Sequence, residues 1–480
     1  MLKLNILMVA SEAVPYSKTG GLADVMGALP QYLGKINNNK VSLVLPLYAS
    51  TRKKFFRRME KEKELEVSLD WRKQYCGVWK IEEDDLTCYF IENDYYFNRE
   101  DCYGYFDDGE RFIFFNKAVI ALIQELEEIP DIVHSHDWQS AALNLYLHNL
   151  RRNEKFSNIK TVLTIHNLRY QGRFSSHVFT DLMDLPYEYF NEWGLEFFGD
   201  VNLLKGGILF ADHVTTVSPG YSREIMDKHF GEGLEGVLKS NSHKITGILN
   251  GLDYQNYDPY TDEAIFYNYR SSQELKLRNK EKLQELCKLE INKKKPLLTL
   301  VSRFTEQKGL DLLLYIMDEL LKKDIQLIIH GNGERYYENA LRSFIDRYPD
   351  NFRLIEGFRE DMARKIYVGG DIFLMPSLFE PCGLSQMIAL RYGNIPIVRE
   401  VGGLKDTVIP YNEYTGEGNG FSFSNYNGDE FLKTIEYALE IYEDKNKWKG
   451  LFKSALKSRF TWKESAGEYM EIYKTLTEKD

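Results

Sequence analysis

The sequence predicts an α/β fold made of two doubly wound domains, and three observations carry that expectation. Short apolar runs alternate with segments of helical period, the alternation runs through the chain twice, and a stretch rich in turn residues and charge separates the two series. At 480 residues with 43% hydrophobic side chains, the chain holds enough apolar material for two cores of ordinary size.

The first series opens on Leu4–Ala10. This run is short for the apolar region of a signal peptide and passes directly into Ser11-Glu12, so it reads as a buried strand. Further strands are expected at Val41–Pro46, Leu86–Ile91, Asp131–His134, Thr161–Ile165 and His213–Val217. Helices at Leu22–Ile36, Arg111–Glu128, Ala141–Arg151 and Pro219–His229 lie between or after them. Strands joined through helices pair in parallel, because a parallel connection must cross back over the sheet. The segment Ile245–Pro259 then carries turn chemistry in Asn250-Gly251 and Asp258-Pro259. A charged helix over Gln273–Leu289 and the linker-like Asn292-Lys-Lys-Lys-Pro296 follow.

The second series is more regular, with strands expected at Leu297–Ser302, Ile325–His330, Phe352–Ile355, Ile372–Met375 and Ile395–Val398. Helices are expected at Leu310–Lys323, Arg335–Tyr348, Met362–Gly369, Leu384–Tyr392 and Glu430–Tyr442, and Lys463–Glu478 has the spacing of a final helix. The boundaries that follow are residues 1–247 for the first domain, 248–461 for the second and 462–480 for a terminal segment. In open α/β sheets ligands bind beyond the carboxyl ends of the strands, so chemistry is sought at those ends.

Composition excludes several classes. Sixty-one Lys and Arg against 72 Asp and Glu give a net charge of −11, which argues against a nucleic-acid or anionic-membrane partner. Any anionic ligand must be held by a few local cations. No apolar run reaches the length of a membrane span. The five cysteines, Cys76, Cys88, Cys102, Cys287 and Cys382, are odd in number and contain no C-x-x-C pair, which reads as a reducing cytoplasm without a zinc site.

Five strand ends carry chemistry-bearing residues. After the first strand come Lys18-Thr-Gly20-Gly21-Leu22, where glycines let backbone amides approach an anion at a helix start and Lys18 adds a full charge. The same residues also suit a plain surface turn. His134-Ser-His136-Asp137-Trp138 follows another strand, with Asp137 open to a sugar-binding role or to capping the next helix. Thr164-Ile-His166-Asn167 ends the next strand. A His–His–Asp metal site and ordinary hydrogen-bonded histidines are both open here, and strand spacing favours the latter. In the second half, Arg303 and Lys308 place two cations around one strand-to-helix turn, suited to a diphosphate leaving group. Phe379-Glu380-Pro-Cys382-Gly383-Leu384 joins another strand to a helix, with Glu380 as its acidic side chain, and Gly402-Gly403-Leu404 is a third glycine turn ahead of a helix.

Taken together, Lys18-Thr-Gly-Gly-Leu-Ala-Asp-Val25, His134-Ser-His-Asp-Trp138, Thr164-Ile-His-Asn167, Leu249-Asn-Gly-Leu-Asp253, Val301-Ser-Arg-Phe304 with Gln307-Lys-Gly-Leu-Asp311, Phe379-Glu-Pro-Cys-Gly-Leu384 and Gly402-Gly-Leu404 resemble, in order and spacing, the bacterial glycogen synthase and plant starch synthase family. The resemblance implies a GT-B fold: two Rossmann-like domains facing a cleft, with the final helix crossing back to the first. It implies transfer of glucose from ADP-glucose to the non-reducing end of an α-1,4-glucan, with retention and without a metal or other cofactor, in the cytoplasm. The first domain would then be the catalytic, acceptor-side domain and the second the nucleotide-sugar domain.

Carried over residue by residue, Lys18, Gly20 and Gly21 would hold the donor, with Arg303 and Lys308 on its phosphates. Asp137 and His166 would sit beside the glucose. Glu380 and the amides of Cys382, Gly383 and Leu384 would meet the sugar from the second domain. The related sucrose- and trehalose-making transferases carry a second Glu eight residues after the first, where this chain has Ile388. A Gly-Tyr pair that stacks on adenine in the family is Gly357-Phe358 here, which keeps the stacking face and loses the hydroxyl. Alternative readings on the same fold are a UDP-glucose-using transferase, a pyridoxal-phosphate-dependent glucan phosphorylase and a non-catalytic glucan-binding protein.

Overall fold

The computed structural model describes residues 3–83 and 86–478. They fall into two units, one running to Gly251 and resuming at Trp462, the other spanning Leu252–Thr461. Among the described residues no helix is long and apolar enough to cross a membrane.

In the first unit the strands are β1 (Asn5–Val9), β2 (Lys40–Pro46), β3 (Glu60–Leu69), β4 (Arg72–Glu83), β5 (Leu86–Glu92), β6 (Ile132–His136), β7 (Lys160–Ile165), β8 (Arg173–Ser175), β9 (Glu196–Phe197), β10 (Asp200–Asn202), β11 (His213–Thr216) and β12 (Ile245–Gly247). Nine of them form one sheet in the order β12-β11-β7-β6-β1-β2-β5-β4-β3, and β8, β10 and β9 form a small antiparallel sheet. The members from β12 to β5 pair in parallel. Central strands such as β1 are buried along nearly their whole length, as a sheet covered on both faces requires.

The chain runs from β1 to β2, crosses to the edge strand β3 and works back through β4 to β5, then passes to the other side of β1 to lay down β6. That reversal makes the gap beyond β1 and β6 a topological switch point, where open sheets leave room for a ligand. The helix Gly21–Lys35 follows β1 and buries Leu22, Val25, Met26, Leu29 and Leu33. This apolar stripe meets Ala466, Tyr469, Met470 and Tyr473 of the last helix, Trp462–Thr477, in one core.

The second unit contains β13 (Leu297–Phe304), β14 (Gln326–Gly333), β15 (Phe352–Glu356), β16 (Ile372–Met375), β17 (Ile395–Arg399) and β18 (Phe421–Phe423), a parallel sheet in the order β15-β14-β13-β16-β17-β18. Here the reversal lies between β13 and β16. Leu313, Met317 and Leu320 of the helix Leu310–Leu321 and Phe431 and Ile435 of Gly428–Glu443 pack with Leu298, Leu300, Leu374 and Ile397 of the sheet. The helix Gln273–Leu286 is tied to this core by a buried Lys280–Asp371 ion pair of 2.6 Å. Lys276, whose ammonium burial pushes down to about 7, donates to the Val368 and Gly370 carbonyls.

Several expectations are corrected. The Lys- and Glu-rich segment 60–83, given no element by the sequence, is an antiparallel hairpin at the sheet edge, where charge protects an open strand. Strands β8 to β10, β12 and β18 and the helices Leu203–Phe210 and Lys445–Lys457 also escape the pattern. The helix expected over Pro219–His229 ends at Glu224, and the one expected over Arg335–Tyr348 ends at Arg342, the chain continuing in turns in both cases.

Candidate active site

At the first switch point, β1 ends in a loop whose charges are already partnered. Glu12 is buried, and its carboxylate accepts from the Thr19 amide and, at 2.7 Å, from the Thr19 hydroxyl. Burial raises its pKa above the usual carboxylate value, while the loop donors oppose that rise. Lys18, half-exposed, pairs with Asp24 at 2.6 Å. Gly20 is the cap of the following helix and Gly21 its first residue, so both predicted glycines stand at the positive end of a helix dipole.

From β6, the predicted Asp137 stands at φ 57°, a left-handed conformation uncommon for a residue with a Cβ. It is the first residue of the helix Asp137–Leu150, and the capping position falls to His136. The Asp137 side chain instead accepts from the His166 amide at 2.7 Å and the Asn167 amide at 3.4 Å, bracing the ends of two neighbouring strands. Desolvation is the main cause that lifts its carboxyl to about 7, with Glu12 adding negative charge nearby. Gly172, at φ 63°, allows the backbone against Trp138, since a Cβ there would lie 2.5 Å from the indole.

The histidines are hydrogen-bonded to one another and to hydroxyls. His134 uses Nδ1 on Tyr473 and Nε2 on Thr164, at 2.7 and 2.6 Å, and so has no nitrogen left for a metal. His136 Nδ1 lies 3.0 Å from His166 Nε2. Burial pushes His134 and His166 down to about 3 and His136 well below its ordinary value, so all three are neutral near pH 7. Among the described residues no group of three or more His, Cys, Asp or Glu is arranged to hold a metal ion.

At the second switch point, Arg303 is the penultimate residue of β13 and Lys308 follows that strand, while Ser377 and Glu380 follow β16. Lys308 Nζ meets Glu380 Oε2 at 2.6 Å, and the Ser377 hydroxyl approaches the same oxygen at 3.3 Å. The pair is largely withdrawn from solvent, whereas Arg303 is exposed. Close backbone contact sets this geometry. Gly309, at φ 69°, faces the Pro376 carbonyl so tightly that a Cβ would come within 1.9 Å. The Gly402–Thr407 helix approaches the Glu380 turn in the same manner, and the Gly403 amide donates to the Glu380 carbonyl at 3.2 Å. Cys382 is buried as a free thiol, Gly383 has φ 75°, and Leu384 caps the short helix Ser385–Arg391.

Phe358 is 64% exposed on the turn after β15, its ring 6.2 Å from that of His330 and within 10° of parallel. His330 meets the Ile355 carbonyl through Nδ1 at 2.8 Å and accepts the Arg359 amide through Nε2 at 3.2 Å, which holds this turn in place. Sequence reasoning singled out neither His330, Glu12 nor Ser377. Glu12 was legible only as a carboxylate two residues beyond an apolar run, His330 sits inside a strand with no motif around it, and Ser377 lies just ahead of the Phe379–Leu384 motif without belonging to it.

Two Rossmann-like units with cations and carboxylates at their switch points define a glycosyltransferase of the GT-B class, and comparison with known proteins agrees. Residues 5–240 match the starch synthase catalytic domain and residues 282–450 the glycosyl transferases group 1. The glycogen synthase of Bacillus cereus strain B4264 is 47% identical over 477 residues, covering 99% of this chain and 100% of its own. That of Alkaliphilus metalliredigens is 45% identical over 478 residues, covering 98% and 100%. Among solved structures, the catalytic domain of starch synthase IV from Arabidopsis thaliana, bound to ADP and acarbose, superposes with a TM-score of 0.91 at 29% identity over 100% of both chains. A sucrose-phosphate synthase from Thermosynechococcus elongatus, at 15% identity and a TM-score of 0.62 over 100% of both chains, shares the fold. The chain belongs to the glycogen synthase and starch synthase family.

Proposed function

We propose that the protein lengthens an α-1,4-glucan by moving glucose from ADP-glucose to the non-reducing end with retention at the anomeric carbon. The observation that carries this reading is the full-length likeness to glycogen synthases, together with the gathering of Arg303, Lys308 and Glu380 at one switch point and Lys18, Asp137 and His166 at the other. Arg303 and Lys308 would neutralise the departing diphosphate, and Lys18 with the Gly20-Gly21 helix start would add positive potential to the donor. Phe358 offers an exposed ring for the nucleobase, and the Cys382-Gly383-Leu384 turn would approach the sugar.

Retention follows in this reading from a front-face path. The bond from the anomeric carbon to the phosphate oxygen breaks, the acceptor hydroxyl oxygen bonds to the same face, and its proton passes to the departing phosphate. A covalent path would need a carboxylate on the opposite face as nucleophile. Glu380 is held by Lys308, which suits an orienting role and is a poor arrangement for a nucleophile. We propose no metal, since the cations the reaction needs are side chains, and a cytoplasmic setting in keeping with five free cysteines.

Radiolabelled transfer with both donors tests the reading. ADP-glucose should exceed UDP-glucose in kcat/KM by about tenfold, a difference of about 1.4 kcal/mol in transition-state binding, and activity should survive chelators. Equal efficiencies would remove the donor assignment. Absence of transfer from either donor would favour a glucan-binding protein.

A further inference from the structure

We propose that His136 fixes His166 in the tautomer that carries its proton on Nδ1, so that His166 meets a substrate oxygen as a hydrogen-bond donor and not as a base. The inference rests on the reading above that His166 faces the reacting sugar. His136 closes β6, and His166 lies directly beyond β7, which pairs with β6 in parallel. The two rings meet through His136 Nδ1 and His166 Nε2 at 3.0 Å.

Both rings are neutral, as their burial dictates, so this contact needs one N–H and one lone pair. Two arrangements satisfy it, and they differ in what they leave at His136 Nε2. That nitrogen is buried and has no hydrogen-bond partner. If His166 were the donor, His136 would have to keep its own proton on Nε2 and bury an N–H with no acceptor. If His136 donates from Nδ1, only a lone pair is left unmatched at Nε2. Buried N–H groups without an acceptor are the rarer and more costly case, so the second arrangement is selected.

The rest of the cluster supports the same assignment. The His134 ring lies against His136 with centroids 4.2 Å apart and planes tilted by 31°, and its own nitrogens are committed to Tyr473 and Thr164, so it offers Nε2 nothing. The proton of His166 then resides on Nδ1, the ring nitrogen that His136 leaves unengaged. The ring contact of His166 runs through Nε2, and the residue is only partly buried, so the N–H on Nδ1 is available to a ligand. A hydroxyl or phosphate oxygen is the matching acceptor. His136 acts through His166 and is a positioning residue.

The test uses the full-length protein labelled with 15N-histidine, together with two variants. In the parent, proton–nitrogen correlation should place the His166 proton on Nδ1. His136→Leu removes the donor, so nothing holds the lone pair of His166 at Nε2 and its two tautomers should become mixed, with kcat falling by about tenfold or more while KM for ADP-glucose changes by less than about threefold. His136→Asn, whose amide nitrogen reaches the place of Nδ1, should keep the tautomer and recover most of the lost kcat. A parent spectrum with the proton on Nε2 overturns the proposal whatever the activities, as do equal losses in the Leu and Asn variants. If His136→Leu does not fold, the parent and Asn spectra decide. A protein that transfers no glucose would fail the functional reading, while the spectrum would still report the tautomer.

Discussion

Glu380 and Lys308 hold each other at 2.6 Å, and the carboxylate has 8% of its side-chain surface exposed, so removing one partner strands the other. Glu380→Gln keeps the shape and most of the hydrogen-bonding capacity but takes away the charge. If the carboxylate orients glucose or stabilises positive charge growing at the anomeric carbon, kcat should fall by about a hundredfold, or about 2.7 kcal/mol. Affinity for ADP should stay level or rise, because Lys308 is freed for phosphate. Steady-state kinetics and ADP titration separate this from a structural role, which would lower Tm and retain most of kcat. Near-parent turnover in a well-folded variant would move the catalytic burden to Asp137 and His166. Asp137 holds a left-handed backbone and a carboxyl that burial lifts to about 7, which is in keeping with the role proposed for it beside the glucose.

Elements position these residues by close backbone approach, which the Gly309 turn displays most sharply. A side chain there would suffer both the left-handed φ of 69° and a Cβ 1.9 Å from the Pro376 carbonyl. Gly309→Ala should therefore cost about 2 kcal/mol or more and pull Lys308 away from Glu380. Chemical denaturation reads the first effect, and loss of ADP affinity at a temperature where the variant is folded reads the second. Parent-like stability would mean that the turn relaxes around the methyl group. The same turns explain what the sequence disclosed. Buried parallel strands such as β1 and β16 were legible because both faces are apolar, and Lys18, Asp137, His166, Lys308 and Glu380 were legible because they follow such strands. The hairpin of β3 and β4 was not, because a charged edge strand lacks that signal, and periodicity does not reveal which amides Asp137 or Glu12 would engage.

At the scale of the whole molecule the two units repeat one design, an open parallel sheet whose reversal point carries the chemistry, but they differ in how the chain closes them. The second is built from one continuous segment, Leu252–Thr461, whereas the first is completed only when the chain returns at Trp462. The returning helix Trp462–Thr477 supplies Trp462, Ala466, Tyr469, Met470 and Tyr473 to the core beside Val25, Met26 and Leu29. The Tyr473 hydroxyl also serves His134 in the cluster behind His166. Burying each large apolar side chain contributes about 1.5–3 kcal/mol, so losing the helix removes an amount comparable to the whole stability of an ordinary domain. A chain ending at Thr461 should therefore keep a cooperative, protected second unit and lose protection throughout the first. Hydrogen exchange of the truncated protein would show β13, β14 and β16 still slow to exchange while β1, β6 and β7 exchange freely, with transferase activity abolished. Equal protection in both sheets would mean that the first unit folds without its last helix, and the terminal segment would then have to be assigned a role other than completing that core.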